Sequence, residues 1–225
     1  ITACDRWSDA AFVEGLAEIA PGEGVLSEEG IQECPSTQAY WVVDPLDGTT
    51  NFAAGIPYWA ISIARFVDGE PSEAFLDIPS LRQRIVAIRG QGAWRNQKRL
   101  TPESRAAAGS SCVSLCSRSI RVLQKRPDQS FPGKIRLLGV ASLNLVSVAM
   151  GQTAGALEAT PKIWDLAAAW LVLTELDCPL IWLGPHPAHL QPGRDLSEMG
   201  FPVVAAGSQK QLERLAPWGE SLLKG

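Results

Sequence analysis

Residues 41–52 read Trp41-Val42-Val43-Asp44-Pro45-Leu46-Asp47-Gly48-Thr49-Thr50-Asn51-Phe52. An apolar segment typical of a buried strand leads directly into two aspartates separated by two residues, and a Gly-Thr turn follows. Carboxylates at the end of a strand suit hard divalent cations, and backbone N–H groups just beyond them suit an anion such as phosphate. One short segment therefore predicts both halves of a metal-assisted phosphate site.

Asp44 and Asp47 have a simpler interpretation as an Asx turn that ends a strand. That turn would be the better interpretation of an isolated Asp-x-x-Asp-Gly sequence. The full Asp-Pro-Leu-Asp-Gly-Thr-Thr-Asn-Phe sequence after an apolar strand favours the site instead. Pro45 stiffens the turn, and the spacing lets both carboxylates and the Leu46 carbonyl reach one place.

Two other acidic segments are candidates for the same site. Glu28 and Glu29 follow a short strand predicted at residues 25–26, and their simpler interpretation is a pair of solvated loop glutamates. Asp165 follows Trp164 at the start of an apolar helix, where the simpler role is an N-cap. Carboxylates from three segments repel one another unless cations lie between them, so the sequence predicts Mg²⁺.

Together these segments resemble the signature segments of the inositol monophosphatase family. The resemblance rests on Ser27-Glu28-Glu29, Asp44-Pro45-Leu46-Asp47-Gly48-Thr49 and Trp164-Asp165-Leu166-Ala167-Ala168, with Thr2-x-x-Asp5, Gly90-x-Gly92-Ala93 and Glu158 in support. It runs from about Thr2 to the C-terminal helix and implies an α/β (α+β) fold, a layered α-β-α-β-α sandwich. Because family members usually begin with a further helical segment, we expect one ahead of Ile1.

The resemblance also implies the ligands of a magnesium-dependent phosphomonoesterase with two or three Mg²⁺ ions. Glu28, Asp44 and the Leu46 carbonyl would hold one ion. Asp44, Asp47 and Asp165 would hold a second, and Glu28 would share a third.

Four residues have implied roles in binding phosphate or activating water. The backbone amides of Gly48 and Thr49 would bind phosphate. Glu28 and the Thr49 hydroxyl would orient and activate the attacking water, with Asp5 supporting Thr49. The metal-activated water makes a covalent intermediate unnecessary. No histidine lies near these motifs to serve as a nucleophile or general acid.

The substrate side departs from the family pattern. Gly139-Val140-Ala141-Ser142 stands where inositol-phosphate enzymes usually carry Gly-Ser/Thr-Ala, and Ala154 stands where they carry an aspartate. Val140 lacks a hydroxyl and Ala154 lacks a carboxylate, which weakens recognition of a polyol. Gly139, Val140, Ala154 and Glu158 are the candidate substrate-binding residues, with Glu158 as a hydroxyl acceptor.

A polar patch, Cys116-Ser117-Arg118-Ser119, is a further candidate for substrate contact. A turn at the end of a strand with an exposed Arg118 is the favoured interpretation of this patch.

We therefore expect hydrolysis of a small phosphate monoester, with inositol monophosphate as the leading substrate. The alternatives within the reaction class are 3′-phosphoadenosine 5′-phosphate, fructose bisphosphate and histidinol phosphate. A weakly active regulatory or binding member and a structural cation-binding domain are the non-enzymatic alternatives.

Composition limits the partners. The chain has 225 residues, of which 46% are hydrophobic, and a net charge of −4 with no long basic run, so we expect neither a nucleic acid polymer nor a membrane as partner. Five scattered cysteines suggest reduced thiols in the cytoplasm. A homodimer is expected from the resemblance alone.

The predicted elements divide the chain into two halves of one compact catalytic unit. Residues 1–108 form an N-terminal α+β half that carries the metal and phosphate motif, with a helix at 8–20 capped by Ser8 and an antiparallel meander. A small, polar stretch at 106–111 marks the boundary. Strands alternate with helices in residues 109–225, which predicts an α/β C-terminal half ending in a helix at 209–223 weakened by Pro217.

Overall fold

A computed structural model of the protein describes residues 3–223, apart from the side chains of residues 3–5, 107 and 108. Within this part of the chain, seven strands form a first sheet: β1 (Gly24–Ser27), β2 (Ala39–Asp47), β3 (Ala60–Val67), β4 (Glu70–Ile78), β5 (Gln83–Ile88), β6 (Gly92–Arg95) and β7 (Lys98–Arg99). Five described strands form a second: β8 (Cys112–Leu115), β9 (Lys134–Arg136), β10 (Gly155–Glu158), β11 (Leu180–Trp182) and β12 (Val203–Ala206). The described helices are α1 (Ala3–Ile19), α2 (Thr49–Ala53), α3 (Pro102–Ala108), α4 (Arg121–Lys125), α5 (Ala141–Ala149), α6 (Ile163–Glu175) and α7 (Gln209–Glu220).

The first sheet is a meander with one parallel addition. Strands β2 to β7 pair antiparallel in chain order, as the sequence predicts, whereas β1 pairs parallel with β2. Asp68 and Gly69 join β3 to β4 with φ of 57° and 81°, the left-handed conformation that a tight hairpin turn requires. Because β1 and β2 run in the same direction, their C-terminal ends, with Glu28 and Asp44, lie at one edge.

The second sheet is mixed, with strand order β11-β12-β10-β8-β9. Strand β8 is parallel to both β9 and β10, and β12 is antiparallel to β10 and β11. The C-terminal ends of β8 and β10 therefore lie side by side, which places the segments after Leu115 and Glu158 together.

The helices complete a five-layer sandwich. Helix α1 packs against β1 and β2, helices α5 and α6 lie between the two sheets, and α7 covers β10 and β12. This arrangement confirms the predicted α-β-α-β-α fold. No helix among the described residues is long and apolar enough to cross a membrane.

Helix α6 is apolar on nearly every side because sheet and helix layers enclose it. It packs against β2 to β6 on one side and against α5 on another. The Trp170 ring meets Phe66 of β3 edge-on, with ring centroids 6.0 Å apart. The small residues Ala167, Ala168 and Ala169 are fully buried and let the sheet approach closely.

Three sequence predictions need correction. Helix α1 begins at Ala3 rather than at Ser8, so Ser8 lies within the helix and is not its N-cap. Much of the stretch predicted as a polar boundary belongs to α3, which Thr101 caps by accepting the Ser104 N–H. Helix α7 accommodates Pro217 and ends at Glu220. The division into two halves at residue 108 stays a prediction.

Candidate active site

The two aspartates at the end of β2 face the same side of the sheet because of an irregularity in strand pairing. Asp44 pairs with Ser62 and Asp47 with Ala60, so β2 carries one extra residue between these two pairs. Residues three apart in a regular strand would point to opposite faces, but an inserted residue reverses the alternation. The one extra residue within the Pro45-Leu46 segment thus brings both carboxylates toward the helices between the sheets.

Asp165 reaches the same place from the start of α6. Its Oδ2 atom accepts a 2.7 Å hydrogen bond from the backbone N–H of Lys162, the N-cap residue. Asp165 is therefore the third residue of the helix rather than its N-cap, and this bond fixes its carboxylate at the helix N-terminus.

Asp44, Asp47 and Asp165 form an acidic triad. Each offers a carboxylate oxygen, and these atoms lie within 4.8 Å of one another. Asp44 is 1% exposed, and no N–H or hydroxyl donor of the described residues reaches its buried Oδ2 atom. Since a buried carboxylate oxygen without a donor is costly, the donor set fits a hard cation such as Mg²⁺.

The electrostatics of the triad also favour a bound cation. Burial, followed by the negative charges of Asp47, Glu28 and Asp165, raises the pKa of Asp44 well above its usual value. Burial and the Asp47 charge likewise raise the pKa of Asp165. A bound cation would reverse these shifts, because it favours the ionised carboxylates.

Asp47 has its own anchor. Burial raises its pKa to about 6, and the backbone N–H of Ser142, 2.7 Å from Oδ2, opposes that rise. This hydrogen bond joins the end of β2 to the first turn of α5.

Glu28 lies beside the triad. It follows β1, its backbone N–H donates to the Val43 carbonyl over 3.2 Å, and its charge raises the pKa of Asp44 and Asp165. Its carboxylate is nevertheless not among the ligand atoms within 4.8 Å of one another. The structure thus brings together three of the four predicted carboxylate ligands and places Glu28 at their border.

The Leu46 carbonyl and Thr49 are linked directly, because the Thr49 hydroxyl donates a 3.1 Å hydrogen bond to this carbonyl. Thr49 also begins α2, whose first N–H groups have no partner within the helix. The side chain of Asp5, predicted to support Thr49, lies outside the described residues.

Gly48 has a conformation and a surrounding space that exclude side chains. Its φ is +95°, and a Cβ atom there would lie 2.7 Å from Cγ2 of Val140 and 3.3 Å from Cβ of Trp59. Glycine therefore allows the chain to turn from β2 into α2 directly against α5.

A cavity of about 410 Å³ adjoins the triad. It includes two triad residues and three of the predicted substrate residues. Its lining consists of Asp47, Thr50, Cys116, Ser117, Arg118, Gly139, Val140, Ala141, Asn144, Glu158, Thr160, Pro161 and Asp165. A larger cavity of about 620 Å³, lined by residues of β4 to β6, contains none of the predicted site residues.

Ala154 is the predicted substrate residue that the cavity does not include. It precedes β10, whereas Glu158 ends that strand, and it lines two other cavities beside Ser110 and Gln211. Four residues of extended chain separate the two by about 13 Å. Ala154 therefore lies away from the candidate site.

Sequence reasoning missed Asn144. This residue is fully buried in α5, and its Nδ2 atom donates a 2.8 Å hydrogen bond to Oε1 of Glu158. Burial, with Asn144 opposing, raises the pKa of Glu158 well above its usual value. A lone amide within the apolar run of α5 was the available signal.

Two of the three comparisons with known proteins concern sequence. The model of the inositol monophosphatase family matches residues 1–217. An inositol-1-monophosphatase of Rhizobium meliloti (strain 1021) is 34% identical over 183 residues, covering 78% of this chain and 69% of the relative. A histidinol-phosphatase of Mycobacterium tuberculosis (strain ATCC 25618 / H37Rv) is 34% identical over 200 residues, covering 83% of this chain and 76% of the relative.

The third comparison concerns structure. The Thermotoga maritima IMPase aligns with a TM-score of 0.80 at 23% identity, over 100% of this chain and 84% of that one. At this identity the likeness establishes the fold.

Proposed function

The chain belongs to the inositol monophosphatase family, and we propose that it hydrolyses a small phosphate monoester with Mg²⁺ as cofactor. Members of this family are metal-dependent phosphoric monoester hydrolases. The observation that carries the proposal is the acidic triad, in which the oxygens of Asp44, Asp47 and Asp165 converge beside a cavity.

Two or three Mg²⁺ ions would be held by the triad with the Leu46 carbonyl and Glu28. When bound, Mg²⁺ supplies Lewis acidity that lowers the pKa of water and offsets the negative charge of the phosphate. The three clustered ligand atoms of the triad are all carboxylate oxygens, which supports Mg²⁺ over softer metals.

The residues of the chain would position the reactants. Backbone N–H groups of Gly48 and Thr49 at the start of α2 would bind phosphate oxygens. Glu28 would accept a proton from the attacking water, and Thr49, held by the Leu46 carbonyl, would orient that water. Asp5 would support Thr49. Positioning and electrostatic stabilisation would then supply most of the rate enhancement.

The cavity would hold the leaving group. Gly139, Val140 and Glu158 lie in its lining, and the Asn144 bond fixes the orientation of the Glu158 carboxylate. Inositol monophosphate is the reference substrate, since a relative carries that name. 3′-Phosphoadenosine 5′-phosphate, fructose bisphosphate and histidinol phosphate are the alternatives.

We further propose a cytoplasmic homodimer. The described cysteines Cys34, Cys112, Cys116 and Cys178 are free thiols, which suits a reducing compartment. Light scattering of the purified chain measures the oligomeric state, and a monomeric mass would contradict the dimer.

Phosphate release from inositol 1-phosphate, with Mg²⁺ and with EDTA, tests the proposed reaction. We expect release that requires Mg²⁺ and falls at least about 100-fold in Glu28→Gln, since a general base contributes 10²–10⁴-fold. Glu33→Gln, at an exposed position in the following loop, is the matched control. Full activity of Glu28→Gln, or no Mg²⁺-dependent release from any of the four esters, would overturn the proposal.

A further inference from the structure

Arg118 lies in the lining of the cavity that adjoins the acidic triad. Its Nη1 atom donates a 2.6 Å hydrogen bond to the Thr160 hydroxyl. Arg118 follows β8 and Thr160 follows β10, and these strands are parallel neighbours. The guanidinium therefore bridges two adjacent strand ends at the cavity.

This guanidinium has no carboxylate partner among the described residues, none of whose acidic side chains lies within 4.0 Å of it. Glu158, which lines the same cavity, accepts its hydrogen bond from Asn144 instead. Thr160 is a neutral acceptor and occupies one of the five N–H groups of Arg118. The exposed Arg118 thus brings a full positive charge and several N–H donors to the cavity lining, without a carboxylate counter-ion among the described residues.

The other charged residues of the lining are acidic, namely Asp47, Glu158 and Asp165. An ester whose phosphate lay at the triad and the start of α2 would have its leaving group in the rest of the cavity, of which Arg118 is a lining residue. A guanidinium binds phosphate and carboxylate groups through paired N–H donors, whereas a neutral hydroxyl leaves most of its charge unmet.

We propose that Arg118 selects phosphate monoesters whose leaving group carries a second anionic group, a phosphate or a carboxylate. Thr160 is a positioning residue that holds the guanidinium at the cavity lining. The proposal rests on the phosphatase function proposed above, and within that function it favours a bisphosphate or phosphocarboxylate over inositol monophosphate and over histidinol phosphate, which carries an amine.

The test compares kcat/KM within matched pairs of substrates. Fructose 1,6-bisphosphate is paired with fructose 1-phosphate, and 2-phosphoglycerate with glycerol 2-phosphate, so that each pair differs by one anionic group. We expect the wild type to prefer, in at least one pair, the member with the second anionic group, called here the anionic member. The pair in which this preference occurs shows whether Arg118 selects a second phosphate or a carboxylate. Arg118→Ala should lower kcat/KM for that member about 10- to 100-fold and change it for the other less than about threefold.

Three further variants separate charge, geometry and folding. Arg118→Lys keeps the charge without the paired donors and should lose an intermediate amount. Thr160→Val should raise KM for the anionic member with kcat unchanged, whereas a fall in kcat for both members would mean a merely structural role. Arg136→Ala, an exposed arginine of the same sheet, is the control. If Arg118→Ala unfolds, Arg118→Gln replaces it.

Three results would overturn the role of Arg118. They are equal losses of kcat/KM by Arg118→Ala on both members of each pair, no preference in the wild type, and a wild-type kcat/KM higher for histidinol phosphate than for the anionic members. Each of these results still requires Mg²⁺-dependent turnover. Absence of turnover with every ester would instead overturn the proposed function.

Discussion

The Oδ2 atom of Asp47 accepts a 2.7 Å hydrogen bond from the backbone N–H of Ser142, 95 residues later in the chain. Asp47 ends β2 of the first sheet, and Ser142 lies in the first turn of α5, between the two sheets. The bond orients the carboxylate and opposes the rise in its pKa that burial causes. The helix layer thereby positions a residue of the triad.

Stability of the metal-free protein should increase on acidification from pH 7.5 to 5.5. The pKa of Asp47 is raised from 3.8 to about 6, so at pH values between these two pKa values, and just above them, the folded state binds more protons than the unfolded state. Unfolding free energy therefore falls as pH rises through this interval, and the raised pKa values of Asp44 and Asp165 extend it upward. Thermal unfolding in EDTA measures the effect, and we expect Tm to rise by several degrees between pH 7.5 and pH 5.5.

Asp47→Asn serves as the comparison, because it lacks the titrating group and should show a smaller rise. Saturating Mg²⁺ should abolish or reverse the trend, since protons compete with the metal for the carboxylates. A wild-type Tm in EDTA that does not rise on acidification, or that rises no more than that of Asp47→Asn, would contradict this prediction.

Gly48→Ala should reduce both activity and stability. An alanine at this position would have to keep the left-handed backbone conformation, and its Cβ atom would lie 2.7 Å from Cγ2 of Val140. Together these should cost about 1–3 kcal/mol of unfolding free energy. Adding Val140→Ala removes the nearest contact and should recover part of the unfolding free energy, while the backbone strain remains. A urea double-mutant cycle measures this coupling, and strictly additive effects would show that the two residues do not compete for space.

Glu175→Ala should destabilise the fold by about 2–4 kcal/mol without changing KM. Its two carboxylate oxygens accept 2.7 Å hydrogen bonds from the backbone N–H groups of Gly90 and Gly92, which ties the end of α6 to the β5–β6 turn. Urea unfolding measures the loss, with Glu14→Ala on the exposed side of α1 as control. Equal unfolding free energies of the two variants would mean that the hydrogen bonds of Glu175 contribute nothing to stability.

The predictable part of the site is the part whose geometry is local. Asp44, Pro45, Leu46 and Asp47 lie in one segment, so the full sequence of that segment after its apolar strand indicated a shared site. The orientation of the two carboxylates depends on the extra residue in β2 relative to β3, and pairing between strands is not visible in one segment.

The substrate side was harder to predict because it is assembled from distant segments. Ala154 was assigned from the family pattern, at the position where inositol-phosphate enzymes carry an aspartate, yet strand β10 lies between Ala154 and Glu158 and separates them. Asn144 was missed because a buried amide in an apolar helix gains its role only from a partner 14 residues away. The prediction of an exposed Arg118 in a turn at the end of a strand is confirmed. What it could not include is the cavity that this turn lines, because the cavity is also lined by residues of distant segments.

In the proposed function, the acidic triad holds the metal on which phosphate release depends. Phosphate release from inositol 1-phosphate and fructose 1,6-bisphosphate, measured during Mg²⁺ titration of EDTA-treated protein, tests it most directly. Asp44→Asn is compared with Asp128→Asn at an exposed position. We expect Asp128→Asn to respond like the wild type, whereas Asp44→Asn should lose at least about 100-fold in kcat/KM while remaining folded. Wild-type Mg²⁺-dependent turnover by Asp44→Asn would contradict it.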